Sequence, residues 1–256
     1  MQGRTVSRRL CPRIGKEVRI SPSVRIEGDV FIGDRSFLGP FVVVRSGVRL
    51  GNRCLVDAGA VLGVRPQDRN YQDEVSYLII GDRCEIREFA TLSLATGKEK
   101  KTVIGADSMV MSYCHIAHNV ILGSSAVITS GSQIGGYVQI GDAAFVGGLS
   151  GIHQFCRIGR LAMLGACSYL NTDLPPFSLA RGNPARFYGI NRVGMERAGF
   201  SKDTIKAIDH SFKIIYQKGV RRSILNSLIR DYPLPEIEEL VRFFKRAKRP
   251  YIRPAP

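Results

Sequence analysis

Four histidines occur in the chain, and three of them fall in two short segments able to carry acid–base chemistry. His115 and His118 lie in SYCHIAHNV, and His153, followed by Gln154, lies in SGIHQFC. An imidazole titrates near neutral pH, so in a cleft it can take the proton of an alcohol as that alcohol attacks a carbonyl. The bland reading of a lone histidine is a satisfied structural one. That reading fits His210, inside a helical pattern, better than His118, which stands outside the apolar columns described next and near polar neighbours. No glycine-rich phosphate loop, Ser–His–Asp signature or paired-carboxylate motif is present.

A six-residue beat positions these residues. Stepping by six from Ile14 to Leu170 gives an aliphatic residue at 24 of 27 positions, the exceptions being Asp68, Glu74 and Lys98. This period suits neither an α-helix nor a strand meander, but it suits a solenoid in which each hexapeptide makes one short side and a turn. Three hexapeptides make a triangular coil, with the aliphatic residue pointing inward. Four residues later runs a column of small residues that includes Cys54, Cys84, Cys114 and Cys156, which reads as core filler. Glycine recurs directly after the aliphatic step, as at Gly33, Gly105 and Gly123, and reads as a turn requirement. The hexads of Ile116 and Ile152 are 36 residues apart, or two coils. His118 and His153 are therefore expected on one flat side, on the order of 10 Å apart along the axis.

Residues 63–79 and 93–103 leave the beat and read as expelled loops, the usual location of binding residues. The beat ends near Pro175 and Pro176. A helix capped by Ser201 and ended by Gly219 follows, then one at about 220–230 and one in PEIEELVRFFKRAK. The division expected is a β-helix over 1–190 and a C-terminal helical domain over 191–256.

The net charge is +15, and 13 of those excess charges lie in residues 1–20 and 192–256. A basic surface favours a polyanionic partner. No stretch approaches a transmembrane span, and the arginine-rich N-terminus lacks the apolar core of a secretory signal. The six cysteines form no C-x-x-C pair, so a zinc ribbon is not expected and a reduced, cytoplasmic compartment fits.

Beyond the beat, the segments HIAHNVILG, IGDAAFVGGLSGIHQFCRIG, LPPFSLARGNPAR and YGINRVGMERAGFS resemble the UDP-N-acetylglucosamine O-acyltransferase family of lipid A synthesis. The resemblance runs from about Ile20 to Lys248. It implies an all-β solenoid, a left-handed parallel β-helix of hexapeptide repeats with a small C-terminal α-helical domain. It also implies a cytoplasmic homotrimer with active sites between neighbouring prisms, no cofactor and no metal. The substrates implied are an acyl carrier protein thioester and a UDP-amino sugar acylated at its 3-position. By the motif, His118 matches the general base and the backbone N–H of Gly136 the oxyanion donor. His115, His153 and Gln154 match substrate-contacting positions, and Asp68 a loop carboxylate beside the sugar. Asn191 and Arg197 match binding residues at the C-terminal junction, with Arg197 near the nucleotide phosphates, and Ala166 a position associated with acyl length. The basic ends then fit an acidic carrier protein rather than nucleic acid.

Three departures from the family pattern alter the sugar's surroundings. Asn70 stands where a lysine is usual. Leu92-Ser93-Leu94-Ala95-Thr96 replaces a loop carrying a histidine and an arginine, and Tyr137 stands in for a histidine. The alternatives kept beside this reading are amide formation on a related sugar and, because of the lost loop residues, a non-catalytic binding paralogue; the histidines themselves leave a zinc carbonic anhydrase, a family built on the same fold but with different histidine spacing.

Overall fold

The computed structural model describes residues 11–247 and 249–255; most of the arginine-rich N-terminus and Lys248 lie outside them. The hexapeptide beat becomes short strands in which the aliphatic step residue is inward and buried, as in Ile121–Leu122, Val127–Ile128 and Gln133–Ile134. These strands stack into three parallel sheets of eight, ten and eight strands, forming a left-handed parallel β-helix. Ile116 of the third sheet pairs with Ile134, and Ile134 with Ile152, so each coil takes 18 residues. The inward columns merge into one continuous apolar core along the stack.

Two expectations about the turns need correction. The left-handed backbone conformation falls three residues after the aliphatic step and is mostly filled by other residue types: φ is 59° at Asn119, 60° at Tyr137 and 66° at Phe155. The glycine directly after the step serves close backbone approach instead. A Cβ on Gly105 would stand 2.5 Å from the Gly123 carbonyl carbon. The small inward column also does more than fill space. Ser108, Ser132 and Ser150 donate to the carbonyls of Gly123, Gly147 and Gly165 at 2.8, 3.0 and 3.2 Å, satisfying corner carbonyls buried in the stack. Cys54, Cys84 and Cys114 make the same contact at 3.1 Å through sulfur, as thiols substitute for hydroxyls.

The excursions are shorter than the sequence suggested. Val61–Val64 and Tyr77–Ile80 are strands, as are Thr91–Ser93 and Lys101–Ile104, leaving 65–76 and 94–100 outside the sheets. Both excursions run from the third sheet to the first, so they leave at the same corner in successive coils. They are also fastened together. Glu74 accepts from the amides of Gly97 and Gln72 at 2.6 and 2.7 Å, and the Gly97 contact above all holds its carboxyl below the usual range.

The second sheet ends in an antiparallel pair, Ser178–Arg181 with Arg186–Ile190. Helices α1 (Arg192–Arg197), α2 (Lys202–Lys218), α3 (Arg222–Asp231) and α4 (Pro235–Lys245) follow around a second apolar cluster containing Phe177 and Phe212. Ser201 caps α2 and Gly219 ends it, as expected. The segment 249–255 then returns to the solenoid. Tyr251 bridges to Asp173 and Pro254 to Phe187, and Ile252 is buried in the main core.

Candidate active site

His118 does not lie on a flat side. It opens the turn after the strand His115–Ile116, at the corner joining the third sheet to the first. Gly136 and Gln154 occupy the same turn position one and two coils on, and His153 sits just before that turn, so the cluster expected from spacing forms along an edge of the prism. The two excursions leave from this edge in the coils immediately before it.

The proton arrangement of His118 follows from its neighbours. The Asn119 amide is fixed by two bonds to Thr96: its Oδ1 accepts from the Thr96 amide at 2.9 Å, and its Nδ2 donates to the Thr96 carbonyl at 3.0 Å. The same Oδ1 faces His118 Nδ1 at 2.9 Å and can only accept. In the neutral ring Nδ1 therefore carries the proton, and Nε2 presents a lone pair. Nε2 points at Gly136, where a Cβ would come within 2.7 Å of it. The Gly136 amide has no hydrogen-bond acceptor among the described residues.

His115 lies half-buried beside this centre, with Nδ1 2.8 Å from Thr91 Oγ1. Burial, and then the nearby His118, push its pKa below the ordinary 6.5. Its neutral form is thus favoured, which suits hydrogen bonding rather than charge. Tyr137 meets the edge of the His118 ring at 5.2 Å and stacks on Phe155 at 4.9 Å. These two rings and Ile121 form the apolar wall of a groove of about 720 Å³, with Thr96 and Lys100 on the excursion side and Arg249 opposite. The groove continues beneath α4, past Arg157 and Arg246.

The remaining expected residues are distributed differently. Asp68 lies in the excursion 65–76, where its carboxylate accepts from the Asn70 amide at 2.9 Å. Asn191 caps α1: its Oδ1 accepts from the Gly194 amide and its Nδ2 donates to the Leu161 carbonyl at 2.8 Å, so the amide is already engaged in structure. Arg197 is exposed at the end of α1, and Ala166 lies on the corner between the second and third sheets, across the third sheet from His118.

Hexapeptide-repeat models match residues 29–63 and 101–136, and a model described as UDP N-acetylglucosamine O-acyltransferase, domain 2, matches 173–252. The acyl-[acyl-carrier-protein]–UDP-N-acetylglucosamine O-acyltransferase of Chlorobaculum parvum is 47% identical over 90% of this chain and 89% of its own. The chain belongs to this acyltransferase family. The enzyme of the same name from Chlamydia caviae is 42% identical over 90% of this chain and 84% of its own. Among solved structures, the family member from Bacteroides fragilis superposes with a TM-score of 0.91 at 33% identity, covering 97% of both chains. The one from Campylobacter jejuni gives 0.89 at 30% identity, covering 95% of this chain and 96% of its own.

Two residues of this candidate site carry no signal in the sequence. Asn119 is adjacent to His118 in the sequence, but only the folded excursion shows that Thr96 fixes its amide. Arg249 reaches the groove through a return of the chain that no local pattern announces.

Proposed function

We propose that this chain transfers an acyl group from an acyl carrier protein thioester to the 3-hydroxyl of a UDP-N-acetylglucosamine-type sugar, with His118 as general base. The observation that carries the reading is the pair formed by the His118 Nε2 lone pair and the unengaged Gly136 amide. The base would take the proton of the sugar hydroxyl while its oxygen attacks the thioester carbonyl. The Gly136 N–H would hold the oxyanion of the tetrahedral intermediate. Collapse forms the ester and breaks the carbon–sulfur bond, and the thiolate recovers the proton from His118. Asn119 keeps the productive tautomer throughout. No cofactor is needed for these steps.

His115, His153 and Gln154 flank the base and are assigned to substrate contact. No hydrogen bond among the described residues joins Asp68 or Arg197 to His118. Their roles, with that of Ala166, belong to a homotrimer in which a neighbouring copy completes each groove. An apolar stripe at the corner between the second and third sheets favours such assembly: Phe41, Phe89, Tyr113 and Leu149 are 71, 52, 63 and 71% exposed there. The basic helical unit suits an acidic carrier protein. No helix among the described residues is long and apolar enough to cross a membrane, and a cytoplasmic location is part of the proposal.

The deciding experiment incubates wild-type and His118→Ala protein with acyl carrier thioesters and UDP-N-acetylglucosamine, with the product read by mass spectrometry. Acylated sugar that mild base cleaves is expected from the wild type and none from the variant, with both sedimenting as trimers. Full turnover by His118→Ala would overturn the assignment of the base.

A further inference from the structure

Arg249 reaches the groove from the returning segment, and its guanidinium finds no adequate acceptor there. Nε is buried and has no hydrogen-bond partner among the described residues. Nη2 has two long contacts, 3.5 Å to the Asn171 carbonyl and 3.4 Å to His153 Nδ1. The second of these sets donor against donor. His153 Nδ1 lies 3.0 Å from the Gln154 carbonyl, which can only accept, so that nitrogen holds its proton and offers Arg249 no lone pair. The Cys156 thiol beside Arg249 is a weak acceptor, with a pKa pushed up to about 11 by burial. The carboxylate lining the groove, Asp173, is already taken by Arg157 Nε and Nη2 at 2.8 and 2.7 Å.

Nor can the chain relax to give Arg249 a better place. The next carbonyl, that of Pro250, accepts from the Asp173 amide at 2.9 Å, and the Ile252 amide donates to the Asp173 carbonyl at 2.8 Å. A partly buried guanidinium, held at a fixed point and short of acceptors, is a costly arrangement unless something else supplies oxygens. Arg246, Lys100 and Lys101 line the same groove, so the missing group is an anion.

We propose that Arg249 is a phosphate-recognising residue of the acyl-transfer site and that it takes the diphosphate of the sugar nucleotide. This rests on the function proposed above. Both substrates of that reaction carry phosphate, but they carry it at different distances from the reacting atoms. His153, which Arg249 touches, is two coils from the coil of His118, on the order of 10 Å along the axis. A nucleotide diphosphate lies one sugar ring from the attacking hydroxyl. The phosphate of a carrier's pantetheine arm lies a whole extended arm from the thioester. The short separation favours the nucleotide, and a planar guanidinium suits two neighbouring phosphate oxygens.

The test uses the full chain and needs no turnover for its first arm. Binding of UDP and of uridine is measured by calorimetry for the wild type, Arg249→Met and Arg249→Lys. Arg249→Met is expected to weaken UDP about tenfold or more while uridine binding is unchanged, as loss of a charge-assisted contact requires. Arg249→Lys is expected to fall between the two, since it keeps the charge but not the fork. In turnover, Arg249→Met should raise the KM for the sugar nucleotide by a similar factor, with kcat and the thioester KM near wild type. Wild-type UDP affinity in folded Arg249→Met would overturn the proposal. A rise in the thioester KM alone would overturn it as well, by moving the contact to the carrier's arm. Should Arg249→Met unfold, Arg249→Lys decides: weakened UDP binding supports the assignment and wild-type binding removes it. If His118→Ala stayed active, the base assignment would fall, while the UDP measurements would still report on Arg249.

Discussion

The His118 centre depends on one missing side chain. Gly136 lets the second coil close over the imidazole, and a methyl group there would stand 2.7 Å from Nε2. Gly136→Ala should therefore push the ring off its position and lower kcat by about 100-fold. The melting temperature should stay close to wild type, since the displaced ring sits at a corner and not in the core. Parallel steady-state kinetics and thermal unfolding check this. His115 makes a separate prediction in pH. Its folded pKa lies below the ordinary 6.5, so between those two values the unfolded chain binds more protons than the folded one. Stability is full above pH 6.5 and declines as pH falls toward the folded value. Denaturant titrations from pH 7.5 to 5 should show this decline, and His115→Asn should flatten it. The histidines themselves were legible from their types and spacing. The tautomer was not, because it depends on Asn119 and Thr96, whose meeting needs the folded excursion.

At the scale of single elements, the coil was the most readable part of the chain, because a period of six with an inward aliphatic residue has few structural solutions. The local detail was harder to read. Serine and cysteine alternating in the inward column looked like interchangeable filler, yet Ser108, Ser132, Ser150, Cys54, Cys84 and Cys114 each close a carbonyl at the corner of the next coil. Ser132→Ala should cost about 1–3 kcal/mol by leaving the Gly147 carbonyl without its donor. Ser132→Cys should cost less, because Cys114 makes the equivalent contact one coil earlier. Equilibrium unfolding in urea separates the two variants; equal losses would show that volume, not hydrogen bonding, governs the column. The excursion boundaries were misplaced because Tyr77–Ile80 and Lys101–Ile104 pair with each other, and only that pairing marks them as strand.

For the molecule as a whole, the division into a solenoid and a helical unit was visible in the change of period near Pro175. The stitch between them was not. The Asp173–Tyr251 and Phe187–Pro254 bridges join residues far apart in sequence, and such contacts leave no trace in a local pattern. Arg157 completes the stitch: it is paired with the buried Asp173 carboxylate, and its guanidinium stacks on Phe243 of α4 at 4.3 Å.

Stacking by coil has a mechanical consequence. Each coil is hydrogen-bonded to the coils on either side, so a steady pull between the two ends of the chain cannot load all the rungs together. After the helical unit gives way, single-molecule extension should rise as a staircase. The regular tread is 18 residues, as between Ile116 and Ile134, and about 60 Å of extended chain. After three regular treads two longer ones should appear, of 24 residues between Leu92 and Ile116 and 30 between Leu62 and Leu92. A single abrupt rip in place of the staircase would mean that the rungs share the load after all.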